Sequence, residues 1–125
     1  MDTINLAKAC RLMDGDKSLF NDLFQVIERS LEERYERLEA ALASESAEDL
    51  EMYAHQLKGA LRNVAADAAC ELLFQLEKCG LGNDFALAKQ VYPQVRPAVN
   101  DLLTAFRSRT WEVAFAEYTK AGGTT

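Results

Sequence analysis

Proline and glycine are scarce, with two prolines and six glycines in 125 residues. A β-sandwich with a turn every few residues uses more of both, so that class is set aside. No stretch comes near the roughly 18 consecutive apolar residues that a membrane span requires. The opening residues, MDTINLAKAC, lack the basic start and apolar core of a secretory signal, so a cytoplasmic location is expected. Cysteine is limited to Cys10, Cys70 and Cys79, none in a C-x-x-C pair, and there is a single histidine. So few ligands predict no metal site, and the thiols read as reduced packing residues. Positive charge is also in deficit. Fourteen Lys and Arg against twenty Asp and Glu leave a net charge of −6. Such a surface repels phosphate backbones and anionic lipid, so neither nucleic acid nor a membrane is an expected partner. Phosphate-loop and nucleophile-elbow motifs are missing as well. The lone Gly80-Leu81-Gly82 follows no strand and reads as a helix stop.

What remains is a chain with 49% hydrophobic and 27% charged residues, the balance of one globular domain. We assign that domain to residues 1–120 and a frayed tail to 121–125. The apolar spacing is helical almost throughout. A first helix is expected over Ile4 to Leu12, stopped at Gly15 in a left-handed conformation, with Asp16 capping the next. The second helix should run from Lys17 to Ala43 and bury Phe20, Phe24, Ile27, Leu31, Leu38 and Leu42. A capping box at Ser46-Ala47-Glu48-Asp49 starts a third helix reaching Ala65. Asp67 is expected to cap a fourth over Ala68 to Cys79, ended by Gly80 and Gly82. A fifth, starting near Asn83 or Asp84, carries the stripe Ala88, Val91, Val95, Val99, Leu102 and Phe106. Pro93 and Pro97 should kink it, or split it into a short helix and a longer one beginning near Pro97. Trp111, Phe115 and Tyr118 keep helical spacing beyond it. The fold class predicted is all-α: an antiparallel up-and-down four-helix bundle, with a short N-terminal lid helix and a kinked or extended last helix.

One segment of the third helix carries chemistry: Ala54-His55-Gln56-Leu57-Lys58-Gly59. At about 100° per residue, Leu50, Ala54, Leu57, Leu61 and Val64 form the buried seam, and His55 points about 140° away from it. Glu48, Glu51, Gly59 and Arg62 share the face of His55, and Lys58 flanks it at i+3. A glycine inside a helix costs about 1 kcal/mol relative to alanine. Gly59, at i+4 from His55, leaves the imidazole uncovered for a bulky visitor. A nucleophilic ring, a nearby ammonium and a cleared approach suit an anionic group delivered by another protein, and phosphoryl is the natural candidate. The competing view is an ordinary solvent-facing histidine among ordinary surface charges.

The segment resembles the A-H-x-L-K-G signature of histidine-containing phosphotransfer (HPt) domains. Gly15-Asp16 followed by Leu19, Leu23 and Phe24 resembles the family's entry to its second helix. Leu72, Leu76 and Glu77 resemble its L-x-x-x-L-E. The resemblance implies that His55 accepts phosphoryl on Nε2, that Lys58 neutralises its charge and that Gly59 admits the partner. Glu77 would then orient the imidazole through Nδ1. Glu51, Met52 and Arg62 are assigned to the partner-contacting surface. The chain departs from the family at Ala65, where glycine is usual, and at Arg62 and Asn63, where small or polar residues are usual. The implied activity is that of a phosphocarrier, a monomer with no intrinsic cofactor and no ATP site. It would take phosphoryl from a receiver-domain aspartate of a hybrid sensor kinase and pass it to the receiver of a response regulator, with Mg²⁺ supplied by the receiver. Two other functions compete. One is a helical docking module that binds receivers or kinases without carrying phosphoryl, which retention of His55, Lys58 and Gly59 together disfavours. The other is a metal or redox protein built on Cys70, Cys79 and His55. Two cysteines more than two helical turns apart cannot share one ion.

Overall fold

The structure, a computed structural model, describes residues 4–121 and is all-helical over them. The helices are α1 (Leu6–Leu12), α2 (Lys17–Ser44), α3 (Ala47–Arg62), α4 (Asp67–Leu81), α5 (Phe85–Val91), α6 (Val95–Arg107) and α7 (Trp111–Lys120). A 3₁₀ turn, Tyr92–Gln94, joins α5 to α6. Residues 122–125, most of the expected tail, lie outside the described residues.

Local chemistry accounts for most of the boundaries. Asp16 caps α2 by accepting from the Leu19 N–H at 3.0 Å, just after Gly15 at φ 75°. Ser46 accepts from the Asp49 N–H at 3.3 Å. The reverse arm of the capping box is not formed, because the Ser46 N–H donates to the Ala41 carbonyl instead. Asn5 caps α1 through the Lys8 N–H at 3.2 Å, so the helix starts later than the apolar pattern suggests and Ile4 is buried ahead of it.

Three expectations are corrected. First, α3 ends at Arg62 rather than Ala65, because the chain turns through Ala65 at φ 58°. Ala65 is fully buried, and a left-handed alanine costs roughly 1–2 kcal/mol that glycine avoids. Its carbonyl accepts from the Asn5 N–H at 2.9 Å, tying the start of α1 to the α3–α4 turn. Second, Asp67 is the first residue of α4 and not its cap. Its carboxylate accepts from Lys8 Nζ at 2.9 Å and Asn5 Nδ2 at 3.2 Å. The lysine bond holds this carboxyl below its ordinary range, against a smaller opposing effect of burial. Third, Gly80 does not stop α4, which continues to Leu81. A Cβ on Gly80 would lie 2.7 Å from the Glu51 nitrogen and 2.9 Å from the Ala47 carbonyl oxygen, so the missing side chain lets α4 press on α3.

The prolines divide the fifth pattern as one of the two alternatives required. Pro93 sits in the 3₁₀ turn and Pro97 in the first turn of α6. A missing N–H costs little there, since a first-turn N–H has no intrahelical acceptor.

Packing follows the stripes. Phe20, Phe24, Ile27, Leu31, Leu38 and Leu42 of α2 are buried, as are Leu50, Ala54, Leu57 and Leu61 of α3. The longest packed pair is α3 with α4; α2 also packs on α3, while α5 and α6 pack on α4. Gly80 meets the start of α3, whereas Cys70 reaches the Lys58 carbonyl at 3.5 Å, so α3 and α4 run antiparallel. The C-terminal segment packs onto the bundle. Trp111 and Phe115 enclose Phe20, their ring centres each 4.8 Å from its own. The indole N–H of Trp111 donates to the Phe106 carbonyl at 2.8 Å. A buried indole generally needs such an acceptor.

Candidate functional site

The antiparallel α3–α4 pair places His55 beside Glu77. His55 Nδ1 and Glu77 Oε1 are 3.2 Å apart, and 65% of the His55 side chain is open to solvent. A carboxylate can only accept, so Nδ1 carries the proton and the Nε2 lone pair is left free. The tether fixes the ring without spending its second nitrogen.

The same carboxylate oxygen serves Lys58. Its Nζ donates to Glu77 Oε1 at 2.7 Å, with side-chain exposures of only 10% for Lys58 and 13% for Glu77. Helical-wheel placement puts Lys58 on the flank of the His55 face, which suggests a solvated ammonium. The structure corrects that reading: Lys58 is the one charged residue buried among those described. Burial by itself would raise the Glu77 carboxyl, but the hydrogen bonds from Lys58 and then His55 outweigh it and hold the group below its ordinary range. Laid end to end, the two bonds keep the Lys58 ammonium within about 6 Å of the imidazole, near enough for its charge to be felt there even with the ring facing water.

Gly59 and Gly80 answer different needs. A Cβ on Gly59 would meet nothing within 4 Å. No internal neighbour demands glycine there, so packing does not account for its helix cost. Met52 and Arg62 are exposed and Glu51 is half-buried. Arg62 lines a shallow depression of about 250 Å³ together with Lys8, Lys58, Asp67, Glu71 and Phe74. Cys70 also lines it, but burial pushes its thiol up from the ordinary range. The depression lies where α1, α3 and α4 meet, and it touches the site through Lys58 and Phe74.

One neighbour is invisible to motif reading. The Phe74 ring, 41% exposed, stands with its centre 4.8 Å from Lys58 Nζ and 4.6 Å from Lys78 Nζ. Its spacing three residues before Glu77 was the available signal, because residues three apart share a helix face. Among the described residues no group of three or more His, Cys, Asp or Glu side chains could hold a metal ion, and no helix is long and apolar enough to cross a membrane.

The fold and site define a class: an all-helical protein presenting one tethered imidazole to solvent. The Hpt domain family model matches residues 22–109, well over half of the chain, and the chain belongs to that family. Hpt domains are phosphocarriers of phosphorelays rather than enzymes with their own catalytic site, and they work with the receiver domains of kinases and response regulators. A search of curated proteins and a search of solved structures each found no significant match.

Proposed function

We propose that this protein is a histidine phosphocarrier of a multistep two-component phosphorelay, with His55 as its phosphoacceptor. The observation that carries the proposal is the half-engaged imidazole: Nδ1 is held by Glu77 while most of the ring faces solvent. In the proposed step, Nε2 attacks the phosphorus of a receiver aspartyl phosphate. The N–P bond forms as the P–O bond breaks, and the aspartate carboxylate leaves with the electron pair. The imidazole becomes positively charged with Nδ1–H retained, and the Glu77 carboxylate opposite that proton stabilises the new charge. Lys58 can turn an N–H from Glu77 toward a phosphoryl oxygen, and the receiver supplies Mg²⁺ and the remaining catalytic groups. The reverse step, onto the aspartate of a second receiver, completes the relay.

Gly59 admits the receiver in this reading, and Glu51, Met52 and Arg62 form part of the surface it covers. The domain acts as a monomer in the cytoplasm. Its scaffold is an antiparallel up-and-down bundle of α2, α3, α4 and the α5–α6 segment, with α1 as a lid. The antiparallel α3–α4 crossing and the tie from Asn5 to Ala65 support that arrangement.

The test is incubation with receiver domains phosphorylated on aspartate. Label should move to the wild-type protein, be acid-labile and be absent from His55→Gln. Equal labelling of His55→Gln would remove His55 from the mechanism. Tight receiver binding with no transfer would leave a docking module.

A further inference from the structure

Lys58 is a flexible four-carbon chain ending in a strongly hydrated ammonium, and such groups swing to water wherever they can. Here it is 90% covered on one hydrogen bond to Glu77, an oxygen it shares with His55. The Phe74 ring, with its centre 4.8 Å away, is the other partner of the charge. An aromatic face attracts a cation through its quadrupole and excludes water from it, and both effects strengthen in a partly desolvated notch. Lys58 reaches from α3 while Phe74 and Glu77 stand one turn apart on α4, so the ring and the carboxylate grip the ammonium between them. A large apolar ring left 41% exposed, on a face of α4 whose other exposed side chains nearby are Glu71 and Lys78, calls for such a use.

We propose that Phe74 is a positioning residue for phosphoryl transfer, acting through Lys58. Its ring keeps the ammonium beside the imidazole, so that the charge is already in place when the phosphoryl group arrives. This rests on the phosphocarrier reading of His55. Without the ring, Lys58 spends part of its time extended into solvent, and each encounter must wait for its return. The loss falls on the transfer step and leaves docking intact.

The experiment is single-turnover transfer from a receiver domain charged with acetyl phosphate, followed over receiver concentration. Wild type is compared with Phe74→Leu, Phe74→Tyr, Lys58→Ala and the double variant Lys58→Ala/Phe74→Leu. Phe74→Leu keeps an apolar side chain without a ring. It should slow the maximal rate about three- to tenfold while leaving half-saturation unchanged. Phe74→Tyr should restore the rate, and Phe74→Leu should add no further loss once Lys58 is alanine. A change confined to half-saturation would make Phe74 a docking contact and overturn the inference. An equal loss in the Lys58→Ala background, or no loss in Phe74→Leu, would overturn it too. In each of those cases wild type still accepts phosphoryl. A wild type that accepts none is the distinct outcome in which the phosphocarrier reading fails and takes this inference with it.

Discussion

The two helical glycines give opposite predictions from the same substitution. At Gly59 an added Cβ enters open space. The alanine variant should gain helix propensity with nothing to offset it, stabilising the protein by about 0.5–1 kcal/mol. At Gly80 the same methyl meets the backbone nitrogen of Glu51 at 2.7 Å, the backbone oxygen of Ala47 at 2.9 Å and the Glu51 Cβ at 2.9 Å. None of these atoms can rotate away, so α3 and α4 must separate. Overpacking of that kind costs roughly 1–3 kcal/mol. Set against a propensity gain of about 1 kcal/mol, the balance leans to destabilisation, by up to about 2 kcal/mol. For a domain of this size, 1 kcal/mol moves the melting temperature by about 3–5 °C. Thermal unfolding of Gly59→Ala and Gly80→Ala should therefore separate by several degrees on opposite sides of wild type. A destabilised Gly59→Ala would refute the assignment of that glycine to external access, since it would reveal an internal need for it. Gly59→Gln extends the test to function. It should keep the fold while slowing transfer from a charged receiver, and unchanged kinetics would remove the steric argument.

Two further outcomes follow from burial and charge. Because Lys58 and His55 hold the Glu77 carboxyl below its ordinary range, the ionised group adds stability above its unfolded value, which is lost as pH falls through the folded value. Glu77→Gln should thus be less stable than wild type near neutrality by about 1–3 kcal/mol. In urea titrations the gap should narrow as pH falls below about 4.5; a gap independent of pH would deny the carboxylate its charge-based role. Trp111→Ala removes a fully packed indole from the Phe20–Phe106–Phe115 cluster and takes away one of the donors to the Phe106 carbonyl, which also accepts from the Arg109 N–H at 3.1 Å. It should cost about 3–5 kcal/mol, visible as a large drop in the denaturation midpoint, whereas a loss under 1 kcal/mol would mean that α7 is only loosely attached.

Much of the molecule was legible in the one-dimensional pattern. Period-3.6 stripes located the buried faces of α2, α3 and the α5–α6 segment, since burial of one face is what makes an amphipathic helix stable. Asp16 and Ser46 announced their helix starts, because a side-chain acceptor at that position satisfies an otherwise orphaned N–H. The exposure of His55 and the emptiness around Gly59 were both readable from angles along one helix. Ala65 was harder: its left-handed φ of 58° depends on how the chain must turn to bring α4 back along α3, and an alanine does not advertise that.

Contacts between elements lay beyond any local reading. Gly80 reads as a terminator in the sequence, yet it is a contact point, because its meaning comes from α3 on the other side. Asp67 reads as a cap, yet it pairs with Lys8 and Asn5, which lie some sixty residues earlier. Lys58 reads as a surface charge by its angle on α3 alone. Only the approach of α4 supplies the Glu77 oxygen and the Phe74 ring that draw it inward. Periodicity and capping are properties of neighbours along the chain, so the sequence alone located the helices, though not all of their ends, and the imidazole's outward direction. Burial of a charge and the sharing of one carboxylate by two donors are properties of neighbours in space, and those the packing of α4 on α3 decided.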